Sequence, residues 1–243
     1  MKSNQKNLPA LFAALLLAAA ATLSSCRKDP QEIIALLSES EAAEIIEDAI
    51  ANKTAGFTMP TVDAAAIVET YLNSCNTPGD TLLNKVKTTG LATYDYTFGM
   101  DWLVACNDLS VPQSANVDIA GNGDFSSPHW QGSQVTVGDL TFTGLGLQDP
   151  AYIVNGTYNL VGDLTGSLRK VSPSFDCTVA LTLTSLTMNK TNYQITSGTG
   201  TATVTATAAN GDTKTLSGTL LFNGNGSATI TVNDHTHTFQ WQQ

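Results

Sequence analysis

Thr201-Ala202-Thr203-Val204-Thr205-Ala206-Thr207-Ala208 alternates threonine with alanine or valine without a break. A period of two puts every apolar side chain on one face of an extended chain and every threonine on the other, so the stretch reads as a strand with one buried face. Cys177, Val179, Leu181 and Leu183 repeat the pattern against Thr178, Ala180, Thr182 and Thr184, and Ala228, Ile230 and Val232 repeat it again. Between these runs stand Asn210-Gly211, Asn223-Gly224-Asn225-Gly226 and Asn233-Asp234. Such residues tolerate the positive φ of tight hairpins, and strands joined this way pair with their sequence neighbours in an antiparallel meander.

The same alternation extends toward the N-terminus. Tyr94, Tyr96, Phe98, Met100, Trp102, Val104 and Cys106 share one face of a long strand, with Asp95, Thr97, Gly99, Asp101, Leu103 and Ala105 on the other. Gly99, near its middle, marks an expected bulge or bend. Shorter strands are expected around Val117–Ile119, Gln134–Thr143 and Tyr152–Val161. Asp118, Asn122 and Asp124 have a spacing like part of a calcium loop but lack the closing acid, and a glycine-rich hairpin is the favoured reading. The fold class is therefore mainly β: an antiparallel meander sheet curled into a sandwich or an incomplete barrel.

Short helices precede it. Ile33, Ile34, Leu36 and Leu37 cluster in a first helical turn, and Ser38-Glu39-Ser40-Glu41 then forms a capping box with Ser38 as N-cap. Ala42, Ile45, Ile46, Ala49 and Ile50 recur at helical spacing opposite Glu44, Glu47 and Asp48, an amphipathic pattern that needs a surface to pack on. Gly56 and Pro60 interrupt it, and a further helix is expected over Val62–Ser74, capped by Thr61 or Asp63.

The first residues give an address. Lys2 and Lys6 precede the apolar run Leu8–Thr22, which is shorter than the ~20 residues that span a bilayer, and small residues lead on to Cys26. This is the pattern of a secretory signal. Leu23-Ser24-Ser25-Cys26 resembles the lipobox of bacterial lipoproteins, which implies cleavage before Cys26 and its acylation. Arg27 in place of aspartate favours the outer membrane. The region holding Cys75 and Cys106, together with the C-terminal meander, resembles β-rich lipoproteins of Bacteroidota, a likeness that carries over no activity or site residue. The chain is divided into residues 1–25 as signal peptide, 26–76 as lipid anchor and helical N-terminal region, and 77–243 as the antiparallel β domain.

Removing residues 1–25 takes two lysines and no acid from 11 basic and 21 acidic residues, leaving a net charge of −12. Nucleic acid is excluded as a partner, because phosphate binding needs clustered lysine and arginine. With Cys26 lipidated, three cysteines remain for an oxidising compartment. The expected disulfide joins Cys75 to Cys106, with Cys177 a buried thiol at the start of an apolar strand; a reactive or metal-binding cysteine is the alternative.

Candidate site residues are sparse. His235 and His237 project from one face of a strand as weak metal-ligand candidates, and no cofactor is expected. Motifs for a serine hydrolase, zinc protease, P-loop, dinucleotide fold or CxxC redox site are absent from the sequence. The expected function is that of an exported, lipid-anchored envelope protein with a non-enzymatic structural or binding role, held to the membrane by its anchor. One alternative is a carbohydrate-binding or adhesive surface lipoprotein contacting a glycan or envelope protein through Trp130, Tyr152, Tyr158 and Trp241. The other is a glycoside-active enzyme with paired carboxylates.

Overall fold

The computed structural model describes residues 37–166 and 174–241. The signal segment, Cys26 and most of the first expected helix lie outside them. Helix α1 runs over Glu39–Ile50 and opens with the expected capping box: Glu41 N donates to Ser38 Oγ at 3.3 Å and Ser38 N donates to Glu41 Oε2 at 2.6 Å. Its last carbonyls would be unsatisfied. The Thr54 and Thr58 hydroxyls donate to Asp48 O and Ile50 O and close that end.

Helix α2 spans Thr58–Tyr71, four residues earlier at its start than the sequence suggests. Pro60 falls inside its first turn, where a missing N–H costs no intrahelical bond. Neither expected cap is one, since the Thr61 hydroxyl donates to Phe57 O and Asp63 pairs with Lys85. Among the described residues no helix is long and apolar enough to cross a membrane.

The sheet holds ten strands among the described residues: β1 Pro78–Lys87, β2 Thr93–Cys106, β3 Pro112–Ser126, β4 Trp130–Thr143, β5 Ala151–Gly166, β6 Ser174–Asn189, β7 Ile195–Thr207, β8 Thr213–Gly224, β9 Ser227–Val232 and β10 His235–Gln240. Each pairs antiparallel with the next, and β1 and β10 are unpaired edges. The expected meander is present as a single open sheet, an incomplete closure and not a sandwich. At the turns the expected positive φ is found, at Gly211 (88°), Asn225 (52°) and Asn233 (49°).

Two local expectations are corrected. Gly99 carries no bulge, for the register runs through it unbroken from Leu82 on β1 to Ala120 on β3, and the irregularity in β2 lies at Ala105/Cys106. The glycines of Gly121-Asn122-Gly123 form no hairpin either, because they sit inside β3. There they lie directly opposite Phe98 and Tyr96. A β-carbon would come within 2.5 Å of Phe98 Cδ1 at Gly121, and at Gly123 it would meet Asp95 O before reaching Tyr96 Cγ at 2.6 Å. Gly79 opposite Trp102 and Gly138 opposite Tyr158 repeat the arrangement on the same inner face. Each glycine leaves room for an aromatic side chain on the strand beside it, so ring-on-glycine pairs across strands recur in the core.

Those rings meet the helices. Phe57 packs edge-on against Tyr158 at 5.5 Å, and Tyr71 lies 4.8 Å from Trp102. Helix α1 shows that the sheet curls: Asp48 reaches Ser127 in the β3–β4 turn, while Glu47 reaches His237 on β10. In a flat sheet β4 and β10 would stand about 29 Å apart, against a helix about 10–12 Å across.

An open sheet exposes two edges to unwanted pairing. Here β1 carries Lys85 and Lys87 on its inner face, Lys85 held by Asp63 at 2.8 Å. Strand β10 is six residues long, and beyond it Asn52 N donates to Trp241 O at 3.0 Å. Inward charge at one edge and a helical flank at the other are the devices that let such a sheet stay unclosed.

Candidate functional site

The four aromatics expected to face a ligand are buried instead. Tyr152 and Tyr158 are fully covered, and Trp130 and Trp241 are 2 % exposed. Trp130 packs on Phe175 and Trp241 on Phe222, both edge-on. The Tyr152 hydroxyl donates to Glu69 on α2, and Lys190 Nζ lies 5.0 Å over its ring. Trp130, Tyr152 and Tyr158 stand at inward positions of their strands and Trp241 follows the end of β10, and each large ring completes the core. No glycan contact can be built on them.

His237 and His129 are also engaged, while His235 begins β10 opposite Val232. His237 Nε2 is 2.7 Å from Glu47 and its ring stacks on Phe239 at 6.0 Å, while His129 Nδ1 lies 3.6 Å from Glu44. Among the described residues no three His, Cys, Asp or Glu side chains converge as a metal site. Cys75 and Cys106 form the expected disulfide with 5.4 Å between their Cα atoms, tying the segment after α2 to the end of β2. Cys177 is a buried free thiol on the inner face of β6, and burial pushes it up to about 12.

The chemistry of the surface lies on the outer face, in an arrangement the sequence does not announce. Asp80 on β1 stands opposite Asp101 on β2, Asp101 opposite Asp118 on β3, and Asp118 opposite Asp139 on β4. The same rung crosses the remaining strands as Thr157, Thr182, Thr201, Thr219, Thr231 and Thr236. A second rung runs Asp95, Asp124, Ser133, Asp163 and Asp176 over β2–β6, with the Ser133 hydroxyl donating to Asp124 Oδ1 at 2.5 Å.

Between the two acidic rungs lies an uncharged band. Leu82, Gly99, Ala120, Val137 and Asn159 form one rung of it, and Asn84, Thr97, Asn122, Val135 and Val161 the next. Leu82 is 66 % exposed, Val137 57 % and Val161 54 %. The rungs are six residues apart along each strand, about 20 Å. At one corner Asp80, Asp101 and Asp118 line a shallow depression of about 400 Å³ with Leu103 and Asn116.

No ion pair forms on these acids among the described residues, and Lys87 lines a depression beside Asp95 and Asp124. Lys53 and Lys85 are taken by Glu47 and Asp63, and Lys190 donates to Gly146 O. Like charges directly opposite on neighbouring strands repel, so the face carries an uncompensated cost. A second, smaller feature is a groove of about 310 Å³ between α2 and β1, where Tyr71 is 40 % exposed beside Trp102, Thr70 and Thr81.

No protein-family model matches the chain, and neither a curated protein nor a solved structure matches it.

Proposed function

We propose that this chain is an exported, lipid-anchored envelope protein whose β domain serves as a non-enzymatic binding module. The observation that carries the reading is the Cys75–Cys106 disulfide downstream of a lipobox. Paired cysteines belong to oxidising compartments, and a signal sequence ending at Cys26 supplies both the route there and the attachment. Acyl chains on Cys26 would hold the domain at a membrane surface, each buried methylene adding about 0.8 kcal/mol. Two helices and the ring-on-glycine pairs fill the concave side of the sheet, so recognition falls to the outer face of β1–β5 and its acidic rungs.

The test is intact and peptide mass spectrometry of membrane-extracted protein, with and without reduction. Acylated Cys26 at the mature N-terminus and a reducible Cys75–Cys106 peptide pair are expected. An unmodified Cys26 in a soluble product would remove the anchor from the reading.

A second reading is carbohydrate binding, which moves from the four buried aromatics to the groove of Tyr71, Thr70 and Thr81. Its half-exposed ring beside hydroxyl groups suits the apolar face and polar rim of a sugar. Saturable hits on a glycan array that Tyr71→Ala abolishes would support it, and an array without hits would dismiss it.

A further inference from the structure

We propose that the outer face of β1–β5 docks a cationic amphipathic segment of a partner protein, with the segment's apolar stripe on the Leu82–Val137–Val161 band and its lysines or arginines on the flanking aspartates. This rests on the reading of the domain as a binding module and names the class of partner.

Two independent observations coincide on this face. The first is the charge. Asp80, Asp101, Asp118 and Asp139 stand shoulder to shoulder on four adjacent strands, with no ion pair among the described residues. At ~4.8 Å per strand they form an acidic rail about 14 Å long. Proteins break a local stability rule chiefly where function compensates for it, and directly opposed carboxylates break the rule for cross-strand pairs three times in succession.

The second is exposed aliphatic surface. Val135, Val137 and Val161 are more than half exposed and cluster on β4 and β5 between the rails, and Leu82, also exposed, lies on the same rung as Val137 across Gly99 and Ala120. A helix with its side chains is about 10–12 Å across. Lysine or arginine stems reaching out from both flanks of such a helix bring their charges to rails ~20 Å apart while its apolar stripe rests on the valines.

Charge selects among the possible occupants. A second copy of this chain would bring the same acidic rails and be repelled. Anionic lipid headgroups are repelled for the same reason. A single metal ion needs several ligands aimed at one point, and no such group forms among the described residues. A basic polypeptide neutralises both rails at once and covers the exposed valines and Leu82 between them.

The test uses the detergent-solubilised full chain and, as probe, a fluorescein-labelled helical peptide of leucine and lysine with one apolar face, read by fluorescence anisotropy. Saturable one-to-one binding is expected, weakening about tenfold between roughly 50 and 300 mM sodium chloride. Asp101→Asn/Asp118→Asn should raise Kd about tenfold. Val137→Thr/Val161→Thr keeps shape and strand propensity and should raise it about threefold. Asp149→Asn/Asp212→Asn, in turns away from the band, should leave it unchanged.

The proposal is overturned if the peptide does not bind, if the turn aspartates matter as much as the rail, or if the valine substitutions have no effect. Calcium chloride displacing the peptide saturably below millimolar concentration would also overturn it, since the rails would then hold a cation. Circular dichroism and Tm of each variant establish that it is folded. The mass spectrum of Cys26 and the disulfide stands apart from every one of these outcomes, so a failed docking surface and a failed anchor are told apart.

Discussion

Ser127 in the β3–β4 turn donates its hydroxyl to the Asp48 carboxylate on helix α1 at 2.6 Å, across 79 residues of sequence. The same hydroxyl accepts from Trp130 N at 3.0 Å, so one serine oxygen fixes both the turn and the helix above it. Burial pushes the Asp48 carboxyl up to about 7, against the hydrogen bond from Ser127 that favours the charged form; Lys53 also favours that form, and Glu47 and Glu44 oppose it.

Stability should therefore decline with rising pH across the window that Asp48 defines. Between its ordinary value of 3.8 and about 7 the unfolded chain has lost a proton that the folded chain still holds, and a state that binds more protons is disfavoured as pH rises. The effect is present in full below the lower value and gone above the upper. Asp48→Asn should flatten the profile, matching the wild type near pH 4 and exceeding its Tm by on the order of 10 °C near pH 8. Ser127→Ala should do the reverse, costing about 1–3 kcal/mol at pH 8 and less at pH 4, because it leaves an ionised carboxylate without its donor. Thermal melts of the three proteins from pH 4 to 8 decide it, and superimposable profiles would rule Asp48 out as the titrating group. Glu47 acts at lower pH and in the opposite direction: burial opposes its ionisation, but hydrogen bonds from Lys53 and His237 hold it below the usual carboxyl range, so its share is lost as pH falls.

The ring-on-glycine pairs predict a sharp contrast among glycine substitutions. Gly121→Ala would drive a methyl into the packed ring of Phe98, and Gly123→Ala into Asp95 O and Tyr96; overpacking of this kind costs roughly 1–3 kcal/mol. Gly211→Ala meets nothing within 4 Å and suffers only from its φ of 88°, about 1 kcal/mol. Urea unfolding should rank the two core variants well below the turn variant. Equal losses would mean that backbone freedom, and not space under the rings, is what these positions require.

The period-two rows of Tyr96, Phe98 and Trp102 and the capping box of Ser38 and Glu41 were legible in the sequence because both are set by neighbours along the chain. Gly121 and Gly123 were not, because the reason for them is the close approach of another strand (the Phe98 ring at Gly121, Asp95 O and Tyr96 at Gly123), and local turn chemistry gives glycine the same look. Pro60 misplaced the start of α2 for a similar reason: a helix breaker and a first-turn residue read alike until the helix is seen. Trp130 and Tyr152 looked available as ligand platforms, yet inward parity at those positions depends on where each strand begins. The aspartate rung was the least visible feature. Asp80, Asp101, Asp118 and Asp139 meet only through the register of three successive hairpins, and each register depends on a loop whose geometry alternation does not specify.

The disulfide closes a loop with a sequence separation of 31 residues, which in the chain-entropy account stabilises by roughly 4 kcal/mol. Cys75→Ser/Cys106→Ser should lower Tm by on the order of 10 °C in a domain of this size, with reduction of the wild type giving the same shift. Cys177 provides an internal control. Its thiol is buried and held well above the thiolate range, so iodoacetamide should spare it in the folded protein and label it once urea exceeds the midpoint. Labelling of Cys177 under native conditions would place it at the surface and contradict the inward register of β6.

The acidic rung should be a site where function and stability oppose each other. Replacing Asp101 and Asp118 by asparagine removes all three of the opposed carboxylate pairs in Asp80–Asp101–Asp118–Asp139. Each such pair is worth a few tenths to 1 kcal/mol, so the double variant should gain roughly 1 kcal/mol at low salt. The gain should shrink as salt rises toward about 1 M, where the Debye length falls to ~3 Å, shorter than the strand spacing. A gain that does not change with salt would indicate a packing or hydrogen-bond effect, since only charge repulsion is screened. A loss of stability would mean that these carboxylates already have a partner in the folded chain, and the outer face would then lack the uncompensated charge that a cationic partner is needed to neutralise.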